Sequence, residues 1–440
     1  MKLDKKRTFL IGFAFLAIMA FWQMYDAVIP KMLVNTFKIN EFITGFIMAA
    51  DNVLAFFLLP IFGRMSDNCT AKIGKRKPFI IFGMIATAVL MVWLPLIANS
   101  YNASPSAAKI VLFIGILAGL LLTMSFYRSP AVALMPDVTP KPLRSKANAI
   151  INLMGAIGGI IFLGFSMFMY PNDIEAHVNY FPIFIIIMGV VLISLEVIVF
   201  FVNEPKLSKA QREYEDAHPE ENLSDLNEDN KIIMPKPVKR SLVFLLLSVA
   251  FWYIAYNGIS TWFTVLAERA WNMEIGGASK LILVASVAAI ATYIPAGILA
   301  SKIGRKKTII AGVLLLTSSF LAGFIYTLFV NQIHFTIYIL FALVGIAWAT
   351  INVNSFPMVV EMCHGGDIGK YTGLYYMFSM VAQIITPIVG GGILEFIGYK
   401  MIFLYSAIFA FLSFITMCFV RHGDAKIERK KGLEAFDVGD

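Results

Sequence analysis

Twelve apolar stretches, each close to the length that crosses a bilayer, dominate this sequence. They lie at 8–34, 41–65, 78–98, 107–136, 145–170, 180–202, 240–268, 278–301, 307–330, 335–361, 369–395 and 399–420. A hydrocarbon core about 30 Å thick takes roughly 20 helical residues. Lipid offers no partner to a backbone N–H or C=O, so only helices and closed barrels span it. Barrel strands alternate apolar and polar residues over about ten positions. These runs are longer and apolar throughout, so the expectation is an all-α polytopic membrane protein with twelve transmembrane helices. Composition excludes the alternatives. Hydrophobic residues make up 59% of the chain and charged residues 15%, against roughly a quarter charged in soluble domains. That leaves too little charge to cover a soluble enzyme, and too much apolar surface for a disordered chain.

The net charge of +8 reads as topology rather than nucleic-acid binding. With both termini inside, 29 of the 36 Lys and Arg fall on inside segments. Six lie outside (Lys31, Lys38, Lys109, Arg269, Lys280, Lys400), and Arg128 lies within a helix. Basic residues mark cytoplasmic loops, so both termini are expected in the cytoplasm of a multi-pass cell (inner) membrane protein. Lys2, Lys5, Lys6 and Arg7 precede a run that continues to about Ile29 with no small-residue cleavage site, so it reads as the first membrane helix rather than a signal peptide. Cys69, Cys363 and Cys418 have no metal or redox spacing, and His177, His218, His334, His364 and His422 fall in loops or at ends. No metal or cofactor is expected beyond a coupling ion, read as a proton.

A polar stretch at 203–238, rich in acids and prolines, divides the helices six and six. It is expected to be a cytoplasmic linker between a bundle at 1–202 and a bundle at 239–421, with a tail at 422–440. Lys209 with Glu213, and Arg212 with Asp216, are i,i+4 pairs that support a short surface helix within it. The two halves repeat. Gly63-Arg-Met-Ser-Asp67 followed by Gly74-Lys-Arg-Lys77 lies between the second and third segments; Gly297-Ile-Leu-Ala-Ser301 followed by Gly304-Arg-Lys-Lys307 lies between the eighth and ninth. Asp137 and Lys146 stand nine apart, as do Glu361 and Lys370, at one offset of 224. A repeated six-helix unit is the pattern of parallel halves facing each other across a central cavity.

The pattern of a glycine, an aspartate four residues on, then a glycine followed by three basic residues resembles the major facilitator superfamily. The longer loop from Asp67 through Gly74, Lys75, Arg76 and Lys77 to Ile80 resembles sucrose-type proton symporters, within the glycoside–pentoside–hexuronide:cation symporters. Pro130-Ala-Val-Ala-Leu-Met-Pro-Asp137 with Arg144-Ser-Lys-Ala-Asn148 resembles their fourth-to-fifth helix region. The resemblance implies two pseudo-symmetric six-helix bundles and transport by alternating access. It also implies a cytoplasmic charge network, the gate, of Asp67, Arg76, Asp137, Arg144, Glu361 and Lys370. Sodium-coupled relatives carry two aspartates near Ala55 and Leu59; neither position is acidic here, which favours a proton. The plant sucrose carriers have an arginine where Val132 falls, and Arg128 stands one turn earlier.

A charge inside a membrane helix costs about 2.5–3.5 kcal/mol even on a lenient scale, so each invites a functional reading. Asp26 in the first helix and Asp51 in the second fall in a similar outer layer. Two carboxylates in one low-dielectric layer resist being charged together, which is what a proton-coupling site needs. Arg128 stays charged at any relevant pH. Its rise of about 30 Å from the start of the fourth helix places it in the inner half, a poor level for direct pairing with Asp26 or Asp51. A sugar asks for planar donors and acceptors and an aromatic face. The candidates to bind it are Trp22, Gln23, Asn52, Tyr127, Arg128, Asn148, Asn152, Trp252, Tyr256, Asn257, Trp348, Asn352, Asn354, Tyr376 and Gln383. Asn352 is the repeat-mate of Arg128. No Walker motif, nucleophile elbow or glycosidase carboxylate pair is present, so the chain reads as no enzyme and no ATP-driven pump. The expected function is a secondary transporter running proton-coupled symport of a sugar or glycoside. The alternatives are an uncoupled facilitator or exporter of another small solute and, further off, a transporter-like sensor. Its partners are expected to be a small-molecule substrate and the lipid bilayer, with no nucleic acid and no obligate protein partner.

Overall fold

The structure, a computed structural model, describes residues 3–140, 143–171, 178–217, 235–330, 333–362 and 368–424. Cys363, His177, His218, His364 and most of the expected tail lie outside the described residues, as does the side chain of Lys370. The first half contains α1 (Lys5–Lys31), α2 (Glu41–Asp67), α3 (Lys77–Ala103), α4 (Ala107–Asp137), α5 (Arg144–Met169), α6 (Phe181–Phe201) and α7 (Glu204–Ala217). The second contains α8 (Lys236–Trp271), α9 (Ile275–Ile303), α10 (Arg305–Phe329), α11 (Phe335–Glu361), α12 (Ile368–Gly392) and α13 (Met401–Cys418). Among the described residues twelve helices are long and apolar enough to cross a membrane; the polar α7 is the exception. The six long helices of each half bring its first helix start and its last helix end out on one side, the terminal face of that half.

Local signals set the helix starts. Asp4 accepts from the Arg7 N–H at 3.1 Å, and Asn40 from the Ile43 N–H at 2.8 Å, capping α1 and α2. Helices α3, α6 and α8 carry a proline in their first turn (Pro78, Pro182, Pro237), where a missing N–H costs nothing. This proline carries α8 back to Lys236, one turn before the apolar run begins at 240.

The chain divides into two compact units. Unit 1 is Met1–Ala217 with Glu274–Ser279; unit 2 is His218–Met273 with Lys280–Asp440. In unit 1, α1 packs on α5 and α6, and α3 packs on α4 and α6. In unit 2, α8 packs on α12 and α13, and α10 packs on α11 and α13. These are the same pairings six crossings later, so the repeat seen in the loops extends to the packing. Helix α1 is the core of unit 1: Ala14, Ala17, Ala20, Phe21 and Val28 are each 3% exposed or less. It can lie against α5 because Gly158 is there; a Cβ at that position would stand 2.1 Å from the Leu16 carbonyl oxygen. Helix α7, which the sequence places in the tether, groups with unit 1, and its first residue Glu204 is 1% exposed. The Lys209–Glu213 pair lies on it at 3.8 Å, in solvent.

Candidate substrate and coupling site

Unit 1 gathers the intramembrane charges. On α1, Phe21, Trp22, Tyr25 and Asp26 occupy little more than one turn. Trp22 meets Tyr25 edge-on, ring centroids 5.3 Å apart, and Phe21 stacks on Tyr25 at 6.0 Å. On α2, Asn52 donates its side-chain N–H to Asp51 Oδ1 at 2.8 Å. On α4, the Arg128 guanidinium carbon lies 5.7 Å from the centroid of the Trp22 ring, a cation–π distance. Arg128 is also close enough to Asp51 for their charges to interact, and so is Asp51 to Asp26. Asp26, Asp51, Asn52, Trp22 and Arg128 are all half-buried. Gln23 on α1 and Asn148 and Asn152 on α5 are half-buried as well, and the Gln23 amide oxygen lies beside Gly159.

Arg128 therefore corrects an expectation. Counting rise from the first residue of α4 puts it too far from Asp51. Helix α4 has 31 residues, or roughly 46 Å at 1.5 Å each, well beyond a hydrocarbon core of about 30 Å. A helix this much longer than the core need not start at its edge, so rise counted from Ala107 overstates the depth of Arg128. A long arginine side chain covers the remaining difference in level.

Three buried donors near this cluster have no hydrogen-bond partner among the described residues: Trp22 Nε1, the Tyr25 hydroxyl and the Tyr127 hydroxyl. Tyr127 is 0% and Tyr25 1% exposed. Buried donors normally find partners; Trp22 and Tyr25, beside the acids, can serve a bound molecule, whereas Tyr127 is as enclosed as a core residue and packs at Gly83 of α3. Sequence reasoning passed over Tyr25. Its neighbours in the chain, Trp22 and Asp26, were the signal that could have found it.

Unit 2 offers a different surface, neutral and amide-rich. Asn257 donates to the Tyr253 carbonyl at 2.9 Å, Asn352 to Trp348 at 3.0 Å, Asn354 to Thr350 at 2.9 Å and Gln383 to Ser379 at 3.3 Å. Asn352 and Gln383 thus use one N–H on their own helix and keep a carbonyl oxygen and a second N–H for other work; the Asn257 oxygen also accepts from the Ser260 hydroxyl at 3.5 Å. Tyr256 stacks on Trp348 with centroids 3.8 Å apart and planes 14° apart, and Tyr253 meets the same indole edge-on at 5.4 Å. One face of Trp348 is therefore covered by protein. Tyr376, Asn257, Asn352 and Gln383 are half-buried, whereas Trp252 and Asn354 are 0% and 2% exposed and pack inside the unit.

Charges on the terminal face pair within each unit. Arg76 Nε donates to Asp137 Oδ2 at 2.7 Å, and the same guanidinium bonds Asp67 and the Ser66 hydroxyl. Lys75 joins Asp137 at 3.1 Å. Arg144 donates to the carbonyls of Pro136 at 3.0 Å and Thr139 at 3.1 Å, at the end of α4. In unit 2, Glu361 pairs with Arg305. Lys75 and Arg305 were not foreseen, yet the repeat marks them. Each follows its motif glycine, and each meets the acid that ends the fourth helix of its half. Two further carboxylates hold the motif loops in place. Glu204 accepts from the Arg76 and Lys77 N–H groups at 2.9 Å each, and Asp424 accepts from the Lys306 N–H at 3.3 Å. Both sit beside a glycine of positive φ, Gly74 at 117° and Gly304 at 95°, a conformation that favours glycine. Among the described residues no three His, Cys, Asp or Glu side chains are placed to hold a metal ion.

Comparison with known proteins finds a family and several relatives. The sequence model of the Major Facilitator Superfamily matches residues 11–286 and 275–438. A sucrose transport protein of Arabidopsis thaliana is 32% identical over 146 residues, 30% of this chain and 24% of that protein. A sucrose transport protein of Oryza sativa is 27% identical over 206 residues, covering 41% and 34%. The chain thus spans a quarter to a third of these plant carriers. An uncharacterised MFS-type transporter of Methanocaldococcus jannaschii is 24% identical over 94% of this chain and 95% of its own length. Among solved structures, the nucleoside transporter NupG superposes with a TM-score of 0.67 at 13% identity, covering 95% of this chain and 100% of NupG. The inward-open xylose transporter XylE of E. coli gives 0.67 at 13% identity and 98% coverage of each.

Proposed function

We propose, from the premise that this chain belongs to the Major Facilitator Superfamily, that it is a proton-coupled symporter of a sugar or glycoside working by alternating access. Membrane transport, not catalysis, is what that membership states; the ion and the substrate are the proposal. The observation that carries it is that unit 1 sets two neighbouring acids against a single cation, which stands near Asp51. Arg128 is permanently charged and stands near Asp51, which Asn52 also supports. No basic side chain is paired with Asp26 among the described residues. The cluster therefore carries one negative charge too many. A proton on Asp26 removes it, and a neutral cluster is far cheaper to close away from water than a charged one.

The other groups suit a polyhydroxylated ligand. Trp22 and Tyr25 offer unused donors in unit 1. Asn352 and Gln383 offer amide oxygens in unit 2. The sucrose carriers among the relatives favour a sugar over another solute. The charge bias of the loops favours a cytoplasmic terminal face and the cell (inner) membrane. There the Asp67–Arg76–Asp137 and Arg305–Glu361 pairs act as a gate that must part before ligands leave inward. Arg144 and Lys370 belong to the same proposed gate.

Purified protein in liposomes tests the reading. With a panel of mono- and disaccharides, an inward proton gradient should drive accumulation of at least one sugar, and an uncoupler should abolish it. Sugar uptake indifferent to the uncoupler would contradict symport and leave an uncoupled facilitator.

A further inference from the structure

One corner of unit 2, where α8 starts and α13 ends, gathers cations above exposed apolar surface. Lys236, Lys239 and Arg240 stand at i, i+3 and i+4 in the first turn of α8, so they share one face, and all three are exposed. One turn further along that face, Val243 is 47% exposed, and the Arg240 guanidinium carbon lies 5.7 Å from the centroid of the Phe244 ring. Phe244 stacks on Phe419, just past the end of α13, with centroids 5.1 Å apart. Phe419 is 52% exposed and continues a stripe from Ile415, 38% exposed, one turn back on α13. Arg421 follows, also exposed. Its backbone N–H donates to Ser241 Oγ at 3.1 Å, and His422 Nδ1 lies 2.8 Å from the same oxygen, so the chain leaving α13 is fastened to the start of α8. Every one of these residues belongs to unit 2.

Among the described residues no carboxylate pairs with Lys236, Lys239, Arg240 or Arg421; Asp424 is taken by the Lys306 N–H at 3.3 Å. The corresponding corner of unit 1 turns cations inward instead. Arg7 donates to the Val138 carbonyl, and Lys77 Nζ donates to the Val199 and Val202 carbonyls at 2.9 and 2.8 Å. Clustered like charges without a counter-charge raise the local potential and draw an external anion. A guanidinium fork matches phosphate geometry, and basic clusters beside membrane helices attract anionic headgroups. We propose that the corner between α8 and α13 binds an anionic phospholipid, with its phosphate on Arg240 and Arg421, Lys236 and Lys239 beside its headgroup, and an acyl chain along the Phe244–Phe419 stack. A zwitterionic lipid offers the same phosphate but brings its own ammonium, so it leaves the four cations unbalanced. Free phosphate has no chain to lay on the stack. The inference requires only that the chain lies in a membrane, so it stands or falls separately from the symport reading.

Native mass spectrometry of the full chain in detergent micelles, titrated with phosphatidylglycerol or phosphatidylcholine, tests it. Phosphatidylglycerol should be retained by the chain in clear preference to phosphatidylcholine; equal retention of the two overturns the proposal. Arg240→Gln with Arg421→Gln should weaken retention of phosphatidylglycerol about thirtyfold, the effect of losing two basic contacts to an anionic lipid. Arg240→Lys with Arg421→Lys keeps the charge without the fork and should recover part of that loss. Lys5→Gln with Lys6→Gln removes the same charge from the first turn of α1 and should change retention by no more than about twofold, the scale of an exposed charge. Equal weakening by the two glutamine pairs overturns the site. Excess inorganic phosphate should leave the lipid bound; displacement would make this an ion site and overturn the lipid. Deleting residues 425–440 should leave retention unchanged; a gain of about tenfold, one coupled contact, would make the chain's own tail the occupant and overturn the proposal.

Discussion

The two units share a packing plan and a terminal-face ion pair, yet differ in what they carry inside the membrane. At the motif loops each copy keeps its charge: Lys75 with Asp137 in unit 1, Arg305 with Glu361 in unit 2. At mid-membrane only unit 1 is charged. Asp26, Asp51 and Arg128 have no counterparts, since no Asp, Glu, Lys or Arg stands at 241–267, 281–301, 308–329, 335–360 or 371–394. Where unit 1 has Arg128, unit 2 has Asn352, bonded to its own helix at Trp348. Duplication supplied the frame twice, and the costly groups were kept in one copy. In this account unit 1 is the ion-responsive half and unit 2 supplies a neutral, polar lining.

The comparison breaks most readily at Arg128. Arg128→Gln leaves the acids of unit 1 without the one cation near Asp51, so closing the site would have to desolvate uncompensated charge. Gradient-driven uptake should fall on the order of a hundredfold or more, whereas Asn352→Ala should cost a few-fold at most. Equal losses would erase the distinction between the units. Next in size is the response to pH. In the proposed symport the site takes up a proton before closure, so wild-type uptake should rise as the uptake side is acidified and fall as it is made alkaline. Asp26→Asn should flatten that profile while leaving solute exchange measurable, and Gln383→Ala in unit 2 should leave its shape intact.

A smaller effect separates the two gates. Arg76 serves Asp67, Asp137 and Ser66 together, whereas Glu361 is the acid that meets Arg305. Arg76→Ala should therefore lower the melting temperature more than Arg305→Ala. The expected losses are about 2 kcal/mol for the charge-assisted, mostly buried group and at most about 1 kcal/mol for the more exposed pair. Smallest of all are the loop caps. Glu204→Ala removes an acceptor of two N–H groups at 2.9 Å and Asp424→Ala an acceptor of one at 3.3 Å. With cap losses typically about 1 kcal/mol, thermal unfolding should place Glu204→Ala at or above that figure and Asp424→Ala below it.

Much of this architecture is legible in the sequence because lipid leaves a spanning chain so few options. Twelve apolar runs become twelve helices, and the two glycine-and-basic motifs mark the same turn of each half. Asp26, Asp51 and Arg128 stand out because charge is rare in such runs. What the sequence obscures is level and partnership. Arg128 appears too deep when rise is counted from the first residue of so long a helix. Trp348 looks like an open platform until Tyr256 is seen covering one face. Lys31 and Glu274 are 243 positions apart, and each reads alone as an ordinary loop charge; nothing local announces that they are buried together. Trp252 and Asn354 resemble cavity residues by type, but helix periodicity turns them into the interior of unit 2.

The central claim is that solute entry is tied to a proton taken up at Asp26. The most direct test records external pH while substrate is added to unbuffered proteoliposomes with no imposed gradient. The account requires an alkaline shift on addition of the transported sugar, absent in Asp26→Asn even though that variant still exchanges labelled sugar. Sugar entry into wild-type vesicles with no movement of external pH, or an undiminished alkaline shift in Asp26→Asn, would contradict it.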